Sequence, residues 1–417
     1  MNHANHRVLF AFCLTVCLGG APASAQPAVR PGDRVAIVGN TFADQLRIHG
    51  YLETLLLQYS HDNPISIRNL GWGGDMLTAR DRPTNFPTEE STLRSHETDV
   101  IIACFGMGES FAGKKGLDDF KQDLDGFVNA HAGKSYNGRS AVRLVLVSPI
   151  AHEDLGHLTP ARTQRNLDLG MYRQAMLEVA SQHSVPFIDL FEPSRYLMDE
   201  SVGPSLTTNG IHLNPYGYWA ISRTFFENLV ADEGAASETP WHIFVDATSS
   251  TSESRGVELS DMTKVGAAIE FTVREVHGPT PAPPINATLP PPLQHQRDTL
   301  SVSNLPAGQY TLFVDGKSVV TADSEAWANG VPVDASPSHQ HAESLRRAIN
   351  DKNLQFTYSW KALNQVHIVG ERRTSPSGRA LPAEVIEFNR IADQRDQELR
   401  AHVQPQTRRW RIAPAKG

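Results

Sequence analysis

Four short blocks of this 417-residue chain carry groups able to do acyl-transfer chemistry. Gly39-Asn40-Thr41 offers a hydroxyl, and Asn69-Leu70-Gly71-Trp72-Gly73-Gly74-Asp75 a glycine-rich turn. Gly106-Met107-Gly108-Glu109 is a second such turn, and Thr208-Asn209-Gly210-Ile211-His212-Leu213 holds an imidazole. Acyl transfer needs a nucleophile, a base to take its proton, a group that orients the base, and donors for the oxyanion. Thr41, His212, Asn209 and the backbone N–H of Gly74 answer to those four parts in that order. Ser110 is an alternative nucleophile, because it too follows a strand end. Asp75, Glu109 and Asp44 lie in or beside these turns and are alternative carboxylate partners for His212. Trp72, His152 and Asp154 are candidates for the cleft rim, or simply core and loop residues.

Other chemistries are excluded or poorly served. No G-x-S-x-G elbow, H-E-x-x-H zinc motif or dinucleotide glycine fingerprint occurs. Gly108 to Lys115 resembles a phosphate-binding loop, but Lys115 stands where a Ser or Thr must hold Mg²⁺. No cofactor is expected. With 38 basic and 46 acidic residues the net charge is −8, which gives no reason to expect nucleic acid. No apolar run reaches the roughly 18–20 residues of a membrane-spanning helix. His339 and His341 stand in a polar stretch without a third ligand nearby and read as exposed rather than metal-binding.

The residues that could react must be positioned by the elements around them. Val35–Val38, Ile65–Leu70, Val100–Phe105, Leu144–Val147 and Val185–Leu190 are short, apolar and β-branched, as buried parallel strands are. Between them, Leu117, Phe120, Leu124 and Phe127 recur at helical spacing, as do Leu169, Tyr172, Met176 and Val179. Alternation of this kind implies right-handed crossovers and a three-layer α/β domain over 30–233, with ligands beyond the carboxyl ends of the strands. After a polar linker, residues 240–335 read as a small antiparallel β module with a hairpin turn at Asp315-Gly316. The seven prolines between Pro279 and Pro292 mark a loop inside it. Residues 338–417 read as a helical tail, with one helical face through Leu345, Ile349 and Phe356 and a second helix from Pro382 to Ala401. At the other end, a basic start, the apolar Val8–Leu18 stretch and Ala23-Ser24-Ala25 read as a secretory signal peptide over residues 1–25. Val16 before Cys17 argues against a lipid anchor. Cleavage after Ala25 leaves a secreted or periplasmic protein of net charge −9 with one cysteine, Cys104, so its fold cannot rest on disulfides.

On these four blocks the chain resembles the SGNH (GDSL-type) hydrolases, whose turns read G-D-S, N-x-G-x-x-G, G-x-N-D and D-x-x-H in this order. The β insert and helical tail are similar to those of an exported bacterial subgroup that shares the G-N-T turn and a motif like Tyr358-Ser359-Trp360-Lys361. The resemblance implies a three-layer, flavodoxin-like α/β fold and an esterase acting on an ester, such as an O-acyl carbohydrate. It carries the nucleophile to Thr41, the oxyanion donors to Gly74 and Gly108, the acidic triad member to Asn209 and the base to His212. Only Gly74 and His212 keep the family's residue. The substituted set implies weak ester hydrolysis. The alternative is a catalytically silent scaffold that binds glycans or a cell-envelope partner.

Overall fold

The computed structural model describes residues 27–415 except 81, 83–85, 160, 200–202, 232–238, 250, 285–288 and 362–373. The expected signal peptide lies outside the described residues. All five apolar runs form strands of one parallel sheet: β1 (Arg34–Gly39), β2 (Ser66–Asn69), β3 (Val100–Cys104), β4 (Arg143–Val147) and β5 (Phe187–Ile188), in the order β2-β1-β3-β4-β5. Successive residues of β1 point to opposite faces. Val35 and Ile37 enter one core, Ala36 and Val38 the other, and all four are buried. Helices α1 (Thr41–His49), α2 (Tyr51–Tyr59) and α7 (Pro215–Leu229) contribute to the first core. Helices α4 (Leu117–His131) and α5 (Arg162–His183) contribute to the second, with α3 (Glu89–Ser95) and α6 (Phe191–Asp199) at the ends of crossovers. The strand order reverses at β1, so the crevice between the carboxyl ends of β1 and β3 is the switch point where ligands of such sheets bind.

The β module is two sheets around one core. Strands β6 (His242–Asp246), β7 (Ser252–Arg255), β10 (Thr299–Ser303) and β13 (Val331–Pro332) form one sheet. Strands β8 (Val257–Val265), β9 (Ala268–Glu275), β11 (Gln309–Val314) and β12 (Lys317–Asp323) belong to the other. Trp241, Phe271, Trp327 and Trp410 fill the space between them. Asp315 (φ 49°) and Gly316 (φ 78°) make the β11–β12 hairpin turn, as their types require. Short helices α8 (Pro291–Gln294) and α9 (Ser324–Asn329) complete the module.

The C-terminal segment departs from the expected tail. Helix α10 (Pro337–Trp360) forms, and helix α11 (Pro376–His402) starts six residues before the expected Pro382, which it contains. Thr407–Pro414 is not helical but forms strand β14, paired between β11 and β9 inside the five-stranded sheet. Its side chains alternate, Trp410 and Ile412 inward and Arg409 and Arg411 outward, which is the period of a strand. His339 is not exposed either. It is 4 % exposed, and its Nε2 meets Asp298 Oδ2 at 2.9 Å and its Nδ1 meets Ser336 Oγ at 2.8 Å. The reason is that Ser336 caps α10, which turns the first turn of the helix onto the module's core.

Helices α10 and α11 also lie against α2 and β2. The Lys352 ammonium is fully buried, bonds the Glu53 carboxylate and donates to Ile67 O at 3.0 Å, while Asn353 Nδ2 donates to Glu53 Oε2 at 2.9 Å. A buried charge left without its partner is costly, whereas an apolar pair of similar volume is tolerated. Lys352→Ala should therefore lose about 3–5 kcal/mol in denaturant unfolding, and Lys352→Met with Glu53→Leu should recover most of it.

Candidate active site

The first turn is set by a close backbone pass. A Cβ at Gly39 (φ 130°) would stand 2.1 Å from Cys104 O, and the next N–H, of Asn40, donates to that same carbonyl at 3.1 Å. Asn40 then caps α1, accepting from Phe42 N at 3.0 Å. Thr41 is thus the first residue of a helix, where backbone N–H groups have no intrahelical partner and the dipole favours negative charge.

The second turn is fastened to the first. Leu70 N and Trp72 N donate to Ile37 O and Gly39 O at 2.7 and 2.9 Å, and Asn69 Nδ2 donates to Ala43 O at 2.7 Å. The loop then exposes Gly73 and Gly74, and Gly74 N–H donates to Thr41 Oγ1 at 3.1 Å. This places an oxyanion-type donor beside the hydroxyl expected to attack.

The third turn supplies less. Gly108 keeps a backbone N–H but carries no side-chain amide, and a Cβ there would stand 2.8 Å from Met76 Cγ, so Met76 fills the space that an asparagine would need. Glu109 is a brace, not a partner of His212: its carboxylate accepts from Gly106 N and Leu77 N, each at 2.9 Å, joining the second and third turns. Burial raises its pKa. Ser110 is fully buried, donates to Met107 O at 2.7 Å and accepts from Arg165 Nη2 at 2.6 Å. It is therefore placed as a structural hydroxyl rather than an open nucleophile. Asp75 is held bidentately by Arg82 at 2.9 and 2.6 Å, and Asp44 by Arg47 and Lys361 at 2.7 and 2.6 Å. None of the three carboxylates hydrogen-bonds His212.

The last block is a closed loop stitched down by Glu153, a residue the sequence reading passed over. Its carboxylate accepts from Leu206 N at 2.9 Å and from Thr207 N at 2.7 Å, and takes the Thr207 hydroxyl as well. Its own N–H donates to Gly210 O at 2.8 Å. His152 is buried beside Gly210, and exposed Asp154 caps the next turn by accepting from Gly156 N at 2.8 Å. Two residues after His212, Asn214 starts α7, and Tyr218 OH donates to Phe42 O at 3.1 Å. This ties the histidine's loop to the helix that begins with Thr41. No hydrogen bond joins Thr41 directly to His212.

The decisive detail is the direction of the Asn209 amide. Its Oδ1 accepts from His212 N at 3.0 Å and Ile211 N at 3.3 Å, which turns Nδ2 toward His212 Nδ1 at 3.0 Å. An amide nitrogen only donates, so Nδ1 must accept, and the neutral imidazole carries its proton on Nε2. The acidic triad member that the resemblance places at 209 would accept from the ring; the backbone bonds of Asn209 reverse that polarity. Half-burial lowers the His212 pKa, which keeps the ring neutral.

Residues 33–220 match the model of the GDSL-like lipase/acylhydrolase family. Among solved structures, a gut microbial diltiazem-metabolizing enzyme, BT4096, superimposes with a TM-score of 0.68 at 16 % identity. The match covers 94 % of this chain and 99 % of that one, so the β module and C-terminal helices are part of a shared fold. Axe2, an acetylxylan esterase from Geobacillus stearothermophilus, gives a TM-score of 0.38 at 15 % identity over 48 % of this chain and 95 % of its own. Among curated protein sequences, none matches this chain.

If Ser110 has the structural role its bonds describe, Ser110→Ala should leave any ester turnover within a few-fold of wild type. It should lower stability by about 1–3 kcal/mol, because Arg165 loses an acceptor in the interior. Steady-state kinetics and thermal unfolding on the same preparation check both, and abolished turnover with an unchanged midpoint would move the nucleophile to Ser110.

Proposed function

We propose that this chain, whose residues 33–220 match the GDSL-like lipase/acylhydrolase family, is an exported ester hydrolase of low turnover that works through an acyl-enzyme on Thr41. The observation that carries the reading is the Gly74 N–H held on Thr41 Oγ1 at the head of α1, on the switch point of the sheet. In this scheme Thr41 attacks the ester carbonyl and Gly74 N–H stabilises the oxyanion. His212 Nε2 takes the hydroxyl proton and passes it to the departing alcohol, and water then releases the acid by the reverse relay. The substrate we infer is a short acyl ester on a carbohydrate. Gly73, Gly74 and Asn209 are solvent-exposed, so a bulky hydrophilic alcohol can be seated without being buried.

Turnover is low for reasons that can be read from the side chains. The methyl of Thr41 restricts its rotamers, and Met76 stands where a third oxyanion donor would reach. Most of all, Nε2 can act as base only if the proton moves to Nδ1, where it faces the Asn209 amide donor. Giving up that bond costs about 1–3 kcal/mol, or roughly one to two powers of ten in rate. The same bond is the specific observation behind a second reading, in which the site is silent and the fold serves binding alone.

Asn209→Asp separates the two readings. The aspartate keeps one oxygen on the Ile211 and His212 N–H groups and presents the other as an acceptor to Nδ1–H, freeing Nε2. On p-nitrophenyl acetate it should raise kcat by about 10² or more; the converse change costs a serine protease about 10⁴. The wild-type acid limb should lie below pH 6.5, because burial lowers the pKa of a base that must be neutral to act. In the aspartate variant the limb should move to higher pH, since a carboxylate favours the imidazolium. If neither protein exceeds a His212→Ala control, the silent reading stands.

Export is tested separately. Mass spectrometry of the mature protein from the native or a heterologous periplasm should find Gln26 as its first residue. Recovery of the uncleaved chain from the cytoplasm would reject the localisation.

A further inference from the structure

Behind the third turn lies a cation that adds nothing evident to stability. Arg165, at the head of α5, is 7 % exposed, and its hydrogen bonds go to uncharged groups. Nη2 donates to Met107 O at 3.0 Å and to Ser110 Oγ at 2.6 Å. Nε and Nη1 are buried and meet no hydrogen-bond partner among the described residues. The acid that attracts it most, Asp168 one turn on, accepts the Gln164 amide at 3.1 Å and forms no ion pair with it. Burial lowers the Arg165 pKa, yet an arginine keeps its charge at any working pH. The place adds to the cost. A helix start is the positive end of its dipole, and α5 begins with neither a capping side chain nor an acid in its first turn. A buried charge left unpaired is destabilising. Phe111, 64 % exposed, roofs the guanidinium with its ring centre 3.8 Å from Cζ and keeps water off it.

What this cation holds is the peptide between Met107 and Gly108. A trans peptide points its C=O and its N–H in opposite directions. Met107 O is turned onto buried Arg165 and Ser110, so the Gly108 N–H is turned away from them. Gly108 is half-buried, and its N–H meets no acceptor among the described residues. It lies against Met76, two residues past the Gly74 that donates to Thr41 Oγ1. Hydrogen bonds in series polarise one another, and a charge in a dry interior acts more strongly than in water. A guanidinium on the carbonyl therefore strengthens the donor at the other end of the same peptide.

We propose that the Gly108 N–H is a second oxyanion donor and that Arg165 is a positioning residue for it. Arg165 fixes the Met107–Gly108 peptide and strengthens its N–H toward the negative charge that develops on the ester oxygen. The inference rests on the acyl-transfer reading of Thr41, and it supplies part of what the missing side-chain amide at 108 would give. It also accounts for the unpaired cation, because a carboxylate on Arg165 would cancel the field that the oxyanion uses. Glu109, the acid of the same turn, has its two carboxylate oxygens on the N–H groups of Leu77 and Gly106 instead.

Arg165→Met and Arg165→Lys, each made in the wild type and in Asn209→Asp, test this on p-nitrophenyl acetate. Arg165→Met should lower kcat about tenfold with KM within about twofold, as loss of transition-state stabilisation does. The loss should persist in concentrated NaCl, because salt does not screen a buried charge. The thermal midpoint should hold or rise, since methionine removes an unpaired charge from the interior, whereas a merely structural arginine would lower it. Arg165→Lys keeps the charge and should keep kcat within about threefold of its parent. NMR gives a reading that needs no turnover. Met107-Gly108 is the only Met-Gly pair in the chain, so carbonyl-labelled methionine with nitrogen-labelled glycine selects that one amide. Its proton signal should move upfield in Arg165→Met and stay near that of the wild type in Arg165→Lys. Turnover with kcat unchanged in Arg165→Met, or a Gly108 signal that does not move, would overturn the assignment and leave the hydrolase reading standing. No turnover above the His212→Ala control in either parent would overturn both.

Discussion

There is no room for a side chain at Gly39. The carbonyl of Cys104 lies where a Cβ would be, and the Asn40 N–H bonds that same oxygen. This one pass, at the point where the sheet order reverses, sets the direction in which the chain leaves β1. From it follows the position of Asn40 as helix cap, of Thr41 on the first turn of α1, and of Gly39 O as acceptor for Trp72 N. The second turn is registered against the first by that bond, and Gly74 reaches Thr41 only because of it. Any larger residue at 39 would shift three of the four blocks together.

The C-terminal helices extend the same dependence outward. Lys352, Asn353 and Glu53 form a buried polar knot between α10 and α2, and Lys361 at the end of α10 bonds Asp44 in the first turn of α1. The Lys361 ammonium also lies 5.0 Å from the centre of the Trp72 ring, with the Arg82 guanidinium 4.3 Å from that centre. Lys361 is paired with Asp44 and Arg82 with Asp75, and the two cations together hold the aromatic ring beside the Gly73-Gly74 turn. What begins after the β module is therefore structural support for the second turn, and strand β14 then closes the module itself.

Much of this was legible in the chain. Five apolar runs ending in glycine or a turn residue announce a parallel sheet, because such strands are buried on both faces and their loops must turn sharply. The helical faces of α4 and α5 were legible for the same reason of period. Less visible were features that depend on distant partners. Strand β14 is charged enough to pass for the end of a helix, and only its alternation of Trp410 and Ile412 with arginines betrays it. His339 reads as solvent-exposed because nothing nearby in sequence announces Asp298. Glu153 and Met76 carry no local signal at all; their roles arise from backbone amides and a missing side chain brought from elsewhere in the fold.

The amide of Asn209 shows how one atom can separate a fold from its chemistry. Every scaffold bond around His212 is made: Glu153 ties the loop, Asn214 caps the helix behind it, and Tyr218 joins that helix to the one carrying Thr41. A carboxylate in place of the amide would make the same two backbone bonds, so these bonds do not discriminate between the residues. Selection for folding alone would thus leave position 209 free to be either. What differs is whether the remaining atom donates or accepts, and only the proton on His212 responds to that. In the reading we propose, the imidazole is wired by default with its proton on the nitrogen that has to act as base. The proposed slow turnover and the silent alternative thus differ only by a free-energy gap of a few kcal/mol between two tautomers of a single ring.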